Sequence, residues 1–405
     1  MNILKVWDSE YPWDVRAEKV MRSLTAAGHD VHLVARNRKG QPVLEQLPEA
    51  TVHRLRPWRW LGRALDSASQ FPAFMNPRWL SHMVRTGREI DAEVIVVRDL
   101  PLAPTAVWAG RRLGIPVIMD MAENYPAMIR DVWLGGRQGR LDFLVRNPRF
   151  VSMVERWSVD ALDHVVVVVE ESGERLEVMG VDPERLTVVC NTPWPSRIPS
   201  EDALVDHGHG EGPLRLVYLG LLEKPRGIEA VLRGMAILRD EGFHTTLQII
   251  GGGMDEALFK SEARRLGFDE DAVRFHGVLP YEEALAVFTR SHVGLVPHLA
   301  VESWNTTIPN KLFDYMSHGL PVVTSDARPA ARIVREVGAG AVFRSDDAED
   351  FAAALRGLRD PARRREHGAR GRQAVLDRYN WGEDEKRLEA AVTGTVTRYR
   401  EGSRP

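Results

Sequence analysis

The chain reads as an α/β protein of two doubly wound domains that face a central cleft. Three observations predict this. Short apolar runs alternate with amphipathic stretches along the whole sequence, the pattern of βα units around a parallel sheet. The alternation stops once, at 191–213, and then restarts. Each series has enough residues, in a chain of 405, to bury its own core.

In the first half, Ile3, Leu4 and Val6 predict a strand over 3–6. Val20, Leu24 and Ala27 share one face of a helix over 16–27, which Gly28-His29 stops before a strand over 31–34. A strand over 94–97, a helix over 104–112 and a strand over 116–119 follow. A helix over 150–162 leads into five consecutive valines at 165–169. That run is a quarter of a membrane span and reads as a buried parallel strand. A strand over 186–189 closes the series.

Residues 191–213 hold four prolines, several Gly and Ser, and no periodic apolar face. We read a first domain over 1–195, a linker over 196–213 and a second domain over 214–380. The second series predicts strands over 216–219, 246–250, 273–275, 293–296 and 321–324. Helices are predicted over 227–238, 256–266, 281–290, 311–317 and 351–358. The end, 361–399, is mostly helical with a break near Asn380-Trp381, which sets off a last segment over 381–405.

Composition narrows the function. The chain is 44% hydrophobic and 27% charged, so it is not a disordered chain. A net charge of −3 and the lack of an aromatic-rich RNA signature argue against a nucleic-acid partner. The single cysteine, Cys190, leaves no disulfide framework or Cys-cluster metal site and fits a reducing, cytoplasmic compartment. No His-x-x-x-His signature appears, and no metal site is expected. The N-terminal apolar run is too short for a signal peptide.

Three stretches of the second half can carry chemistry. Gly220-Leu221-Leu222-Glu223-Lys224-Pro225-Arg226-Gly227 joins a strand to a helix, where free N–H groups and two cations suit a diphosphate or make a solvated basic turn. Gly251-Gly252-Gly253 follows a buried strand and permits close approach of a ligand or of a neighbouring loop. It is not G-x-G-x-x-G, which disfavours a dinucleotide dehydrogenase. The third runs from Glu302 through Ser303, Trp304, Thr306, Pro309, Asn310 and Lys311 to Asp314. Pro309 and Lys311 open a helix on which Leu312, Tyr315 and Met316 form the core stripe, while Asn310 and Asp314 share another face. A carboxylate there can accept two hydrogen bonds from vicinal hydroxyls, as a ribose presents them.

In this order and spacing the second half resembles the nucleotide-binding half of retaining glycosyltransferases of the GT-B fold, family 4 type (glycosyl transferases group 1). The resemblance rests on Tyr218-Leu219-Gly220 with Arg226-Gly227, on Leu247 to Gly253, on Val273 to Pro280, on Pro309-Asn310-Lys311-Leu312-Phe313-Asp314-Tyr315-Met316, and on Gly319 with Pro321-Val322-Val323. The first half matches more loosely, through Arg16, Leu24, Gly28-His29-Asp30-Val31 and Asn191. It implies two Rossmann-like domains, a nucleotide-diphosphate sugar bound by the second, an acceptor bound by the first, no cofactor and no metal. It also implies terminal helices that brace the first domain.

Carried over, Arg226 holds the diphosphate with Lys311 assisting, and Asp314 takes the ribose. Gly220 and Gly252 allow close approach of the donor. The backbone near His276 and Val278 meets the base, and the loop carrying Ser303, Thr306 and Asn310 faces the diphosphate and sugar. Three departures stand out. Leu221 replaces a basic residue. Thr306 stands eight before Asp314, where an acid is usual, with Glu302 nearby. The glycine pair after the first strand is replaced by Asp8-Ser9-Glu10-Tyr11-Pro12-Trp13-Asp14.

On the acceptor side, Asp120 and Glu123 follow a strand and are candidates for orienting the acceptor or stabilising positive charge at the anomeric carbon; Asp120 is equally suited to capping the next turn. Glu10, Trp13, Arg16 and Arg98 are the acceptor-binding candidates, and Arg226 completes the catalytic set. Segment 54–63 has four arginines, interleaved Trp and no acid. It suits the inner face of an anionic membrane, an anionic acceptor, or a solvated loop. The acceptor class expected is a glycan, a lipid-linked molecule or a small molecule such as a secondary metabolite. Two rival functions share the fold: a sugar-nucleotide epimerase or hydrolase, and a sugar-nucleotide-binding partner with weak turnover.

Overall fold

In a computed structural model the described residues are all of the chain except 13, 59–61, 63–64, 67–68, 71–72, 135–146, 202–203, 205–211 and 403–405. The chain divides into two units, Met1–Cys190 with Asp384–Pro405, and Asn191–Glu383.

The first unit is built on eight strands: β1 (Asn2–Glu10), β2 (Asp30–Arg36), β3 (Leu44–Gln46), β4 (Thr51–Arg54), β5 (Val94–Arg98), β6 (Val117–Met121), β7 (His164–Val167) and β8 (Leu186–Val188). Their order is β3-β4-β2-β1-β5-β6-β7-β8. All neighbours are parallel except β3 with β4. The order reverses direction at β1 and β5, so the crevice for a ligand lies off their carboxyl ends. Central strands buried on both faces need continuous apolar runs, which is why 94–97 and 164–167 are valine-rich.

β1 runs beyond the predicted 3–6 to Glu10, with a register shift between Val6 and Glu10 where it leaves Val34 and meets Arg36. β3, β4 and the helices Pro77–Glu89, Tyr125–Leu134 and Glu170–Val178 are additions to the sequence reading. The helix Pro77–Glu89 is mostly polar, and its signal is local: Asn76 caps it by accepting from the N–H groups of Arg78 and Trp79, and Pro77 opens the first turn. β3 and β4 are too short to show a period.

The second unit has six strands: β9 (Leu214–Leu219), β10 (Thr245–Ile250), β11 (Val273–Phe275), β12 (Val293–Val296), β13 (Val322–Ser325) and β14 (Gly340–Phe343). They are parallel in the order β11-β10-β9-β12-β13-β14, with the reversal at β9 and β12. Leu216, Tyr218, Leu247, Ile249, Leu295 and Val323 face one core with Val231, Met235 and Phe351 from the covering helices. The helix Arg328–Val337 and β14 are additions to the sequence reading, which found no period between 324 and 351.

Two helices, Pro361–Asp377 and Trp381–Arg400, end the chain, separated at 378–380. Trp381 is fully buried in the second unit, donates its N–H to the Pro193 carbonyl (2.8 Å) and meets the Trp194 ring edge-on. Residues from Asp384 onward belong to the first unit: Asp384 accepts the Cys190 N–H (3.1 Å), and Leu388, Val392 and Val396 form a buried stripe.

Candidate active site

The second unit assembles its polar residues at the carboxyl ends of β9 and β12. Gly220 follows β9 in a conformation with φ +143°, and a Cβ there would lie 2.9 Å from the Lys311 ammonium. A turn at Lys224–Arg226 then leads, through Gly227 in the left-handed region, into the helix Ile228–Asp240. Gly227 is required there, because a Cβ would lie 1.8 Å from the Pro297 carbonyl oxygen. The glycine triplet packs under the same loop: a Cβ on Gly251 or Gly253 would strike the carbonyl oxygen of Gly220 or Leu222. At Gly252, the position expected to approach a ligand, a Cβ would find ordinary contacts of 3.6 and 3.7 Å. The demand for glycine therefore comes from its two neighbours and from loop packing.

Lys311 opens the helix Lys311–Ser317 and is buried, its ammonium 3.8 Å from the centre of the Tyr218 ring and without a hydrogen-bond partner. Burial, and then the nearby Arg226 charge, hold its pKa well below the usual lysine range; Asp314 opposes the shift. Arg226 donates through Nη1 to His298 Nε2 (3.2 Å) and lies over the Trp304 ring at 4.5 Å. His298 stacks on Trp304 with centroids 4.1 Å apart and planes 8° from parallel. Burial, followed by the Lys311 and Arg226 charges, keeps His298 neutral, with a pKa well below 6.5. Neither Lys311 nor Arg226 is hydrogen-bonded to a carboxylate. Two cations, one buried and one half-buried, meet here with no carboxylate hydrogen-bonded to either among the described residues, an arrangement suited to an anion of two or more charges.

Around this centre, Asp314 is half-buried on the helix that starts at Lys311. Asn310 is exposed and accepts from Asn191 Nδ2 (2.9 Å). Thr306 is buried, and its hydroxyl donates to the Glu302 carbonyl (3.1 Å), so the residue in the place of the usual acid is tied to its own turn. Ser303 is half-buried in that turn, and Glu302 is exposed. His276 and Val278 lie past the end of β11. His276 is held by Gln248 (2.7 Å), and Val278 is 82% exposed. His298 escaped the sequence reading, and Trp304 was named in the third stretch without a role of its own. The signal that could have found them is a histidine just beyond a strand at the reversal point, and one of only two tryptophans after residue 200.

In the first unit the structure corrects the sequence reading. Asp120 and Arg16 are not open to an acceptor. Asp120 is fully buried, with one oxygen on Arg16 (2.8 Å to Nε, 2.7 Å to Nη2) and the other 3.3 Å from the Lys5 ammonium. Arg16 also donates to the Val189 carbonyl (3.0 Å). Burial alone would raise the Asp120 pKa, but Arg16, Lys5 and Arg98 outweigh it and hold the carboxyl well below its usual range. These groups fasten β1, β6 and the helix Val15–Ala26 to one another. Asp120 does not cap the next turn either; Asp99 does so by accepting the N–H groups of Ala122 (2.7 Å) and Glu123 (3.2 Å).

Glu123 is exposed on that turn. Arg98, at the end of β5, reaches Asp14 (3.2 Å) and Asp99 (3.5 Å), lies 5.9 Å from the Trp7 ring, and keeps Nη1 without a hydrogen-bond partner. Glu10 accepts the Arg38 N–H, and its Oε2 is buried without a partner. Trp13 lies outside the described residues, as do 59–61 and 63 of the basic segment. Arg54 of that segment is sealed against Glu45 and is no surface cation; Arg56 is exposed, and Trp58 is 40% exposed under Arg78. Among the described residues no His/Cys/Asp/Glu group could hold a metal ion, and no helix is long and apolar enough to cross a membrane.

Two doubly wound sheets, parallel but for the β3–β4 edge and each reversing near its centre, are the two Rossmann-like domains of the GT-B class of α/β protein. The second unit matches the family of glycosyl transferases group 1 over 213–360, and the first matches the glycosyl transferase 4-like domain over 14–192. The chain belongs to the glycosyltransferases of this GT-B, family 4 type. A glycogen synthase of Mycobacterium tuberculosis is 24% identical over 384 residues, covering 89% of this chain and 85% of the relative. Among solved structures, a sucrose-phosphate synthase of Thermosynechococcus elongatus superposes with a TM-score of 0.74 at 18% identity, over 98% of this chain and 99% of that one. Anabaena HepE, solved in complex with UDP, superposes with a TM-score of 0.72 at 13% identity, over 97% of this chain and 100% of that one.

Proposed function

We propose that the protein is a retaining, metal-independent hexosyltransferase that takes its sugar from a nucleotide-diphosphate donor and passes it to an acceptor hydroxyl. One observation carries this: buried Lys311 and half-buried Arg226 meet beside Gly220, neither hydrogen-bonded to a carboxylate among the described residues. Cations not hydrogen-bonded to a carboxylate favour a bound diphosphate and, more strongly, the extra negative charge that a departing nucleotide develops. Asp314 accepts the ribose hydroxyls, and the stretch at His276 and Val278 receives the base. Ser303, Thr306 and Asn310 border the diphosphate and sugar. That HepE was solved in complex with UDP supports a nucleoside-diphosphate ligand.

In the reaction the acceptor oxygen attacks the anomeric carbon on the face that the diphosphate leaves. The C–O bond to the diphosphate breaks, and its oxygen takes the acceptor's proton. The diphosphate then serves as the base, and Arg226 with Lys311 stabilises it as it leaves. Exposed Glu123, with the more covered Arg98 and Glu10, at the carboxyl ends of β6, β5 and β1, are the groups left to orient the acceptor once Asp120 and Arg16 are set aside. The acceptor is a glycan, as the glycogen synthase relative suggests, or a lipid-linked or small molecule. The reaction takes place in the cytoplasm. Exposed Arg56 and Trp58 would serve a peripheral contact with the inner membrane face.

The tied-back hydroxyl of Thr306 favours a second reading, a nucleotide-sugar binder with weak turnover. One experiment separates the readings: nucleotide sugars are screened by thermal shift, and the stabilising donor is incubated with glycan and lipid-linked acceptors and followed by NMR. A product with the donor's anomeric configuration, formed equally in EDTA, is expected. Inversion would remove the retaining assignment, loss in EDTA the metal-free one, and donor binding without transfer or with hydrolysis alone would favour the rivals.

A further inference from the structure

Arg226 has a side chain with many rotamers, and an arginine that must meet a diphosphate in one geometry gains from being held there beforehand. The structure shows what holds it. Trp304 offers the face of its ring to the guanidinium at 4.5 Å, and His298 offers Nε2 to Nη1 at 3.2 Å. His298 and Trp304 stack on each other, so each fixes the plane of the other. The backbone is fixed as well. The Ser325 hydroxyl donates to the His298 carbonyl, and the Leu299 N–H donates to the Pro225 carbonyl (2.9 Å), tying the Arg226 turn to the end of β12.

We propose that His298 and Trp304 are positioning residues that form a neutral clamp on Arg226, aiming the guanidinium at the donor's diphosphate without neutralising it. The inference rests on the diphosphate reading of Arg226 and Lys311. The choice of residue types follows from electrostatics. A carboxylate in the place of the imidazole would grip Arg226 more tightly, but it would spend the arginine's charge on itself and repel the incoming anion. A neutral imidazole accepts a hydrogen bond and adds no negative charge. Burial, Lys311 and Arg226 keep it neutral. Trp304 adds an attraction to the cation that likewise leaves the charge in place.

The test compares near-isosteric substitutions by calorimetric titration with UDP, GDP and ADP and with the matching nucleosides, reading the ratio of diphosphate to nucleoside affinity within each variant. His298→Gln keeps a neutral acceptor and is expected to hold the ratio within about threefold of wild type, whereas His298→Glu lowers it about thirtyfold. Trp304→Leu lowers it about tenfold and Trp304→Phe restores most of the loss. Nucleoside affinity, which reports the fold, stays at the wild-type value throughout; if a histidine variant fails to fold, the tryptophan pair carries the test. Arg226→Ala is run alongside. If Arg226→Ala loses diphosphate affinity while His298→Glu and Trp304→Leu keep it, the clamp alone is overturned. If Arg226→Ala binds the diphosphate as wild type does, or wild type binds none of the three, the diphosphate reading falls and the clamp with it.

Discussion

Lys5 in the first unit and Lys311 in the second are both sealed from solvent, yet only Lys5 meets a carboxylate. Lys5 and Arg16 close on Asp120 at 3.3 and 2.7 Å; Lys311 and Arg226 have an aromatic ring and an imidazole for company. The difference separates two uses of buried charge. A closed ion cluster satisfies itself and ties three elements together, and breaking it leaves uncompensated charge. An open pair of cations is held at some expense to the apo fold, and an anion that enters relieves that expense as binding energy.

The largest effect that would test this contrast is expected at Asp120. Asp120→Ala strands two buried cations and should lower stability by about 3–5 kcal/mol in urea unfolding. An unchanged midpoint would mean that water reaches the cluster and that it is no closed centre. The converse experiment is Lys311→Met, which keeps the volume and removes an unmatched charge. Its melting temperature should rise or hold, while nucleoside diphosphate affinity falls tenfold or more, as expected for a lost charged contact of about 1.5–3 kcal/mol. A melting temperature that falls as far as that of Asp120→Ala would erase the distinction between the two lysines.

Asp314→Ala sharpens the picture within the second unit. It should weaken nucleoside binding about tenfold, since a charged acceptor for hydroxyls is lost, with Asp314→Asn milder. Equal loss for inorganic diphosphate would place Asp314 with the cations instead. The smallest effect concerns acid. His82 is buried between the His53 carbonyl and the Arg85 guanidinium, and burial, with help from Arg85, lowers its pKa to about 4. His164 is lowered to about 4 by burial and then by Arg398. Both are neutral in the fold, and the unfolded chain takes up their protons below its ordinary pKa of 6.5. Their contribution is therefore complete above pH 6.5 and is lost as the pH falls towards 4, at up to about 1.4 kcal/mol per pH unit for each. His82→Gln should flatten the acid limb of a melting-temperature profile; an unchanged limb would show that other groups set it.

Much of this architecture was legible before any coordinates. The valine-rich run at 94–97, the valines at 165–169 and the Gly28 stop are local signals with local causes, and they mark two strands, the second of them spanning His164–Val167, and a helix end. Less legible were β3, β4 and β14, which are three or four residues long, and the polar helix Pro77–Glu89, whose clearest mark is its cap. In the site, the loop from Gly220 to Gly227 and the stretch from Asn310 to Asp314 could be picked out by residue type and order. Asp120 could not be judged, because an acid near a strand end looks the same in sequence whether it faces water or a buried arginine.

The sequence by itself determined the βα alternation, the break between two series, and which short stretches hold cations, hydroxyls and glycines, because each depends on neighbours a few residues away. Only the tertiary structure decided which charges meet. Asp120 lies 115 residues from Lys5 and 104 from Arg16, and Arg226 lies 72 from His298. Those meetings depend on the order of strands in each sheet and on how much water the packed helices leave behind. Burial and sheet order are properties of the whole unit, and they are what turned one pair of cations into a closed cluster and left the other open.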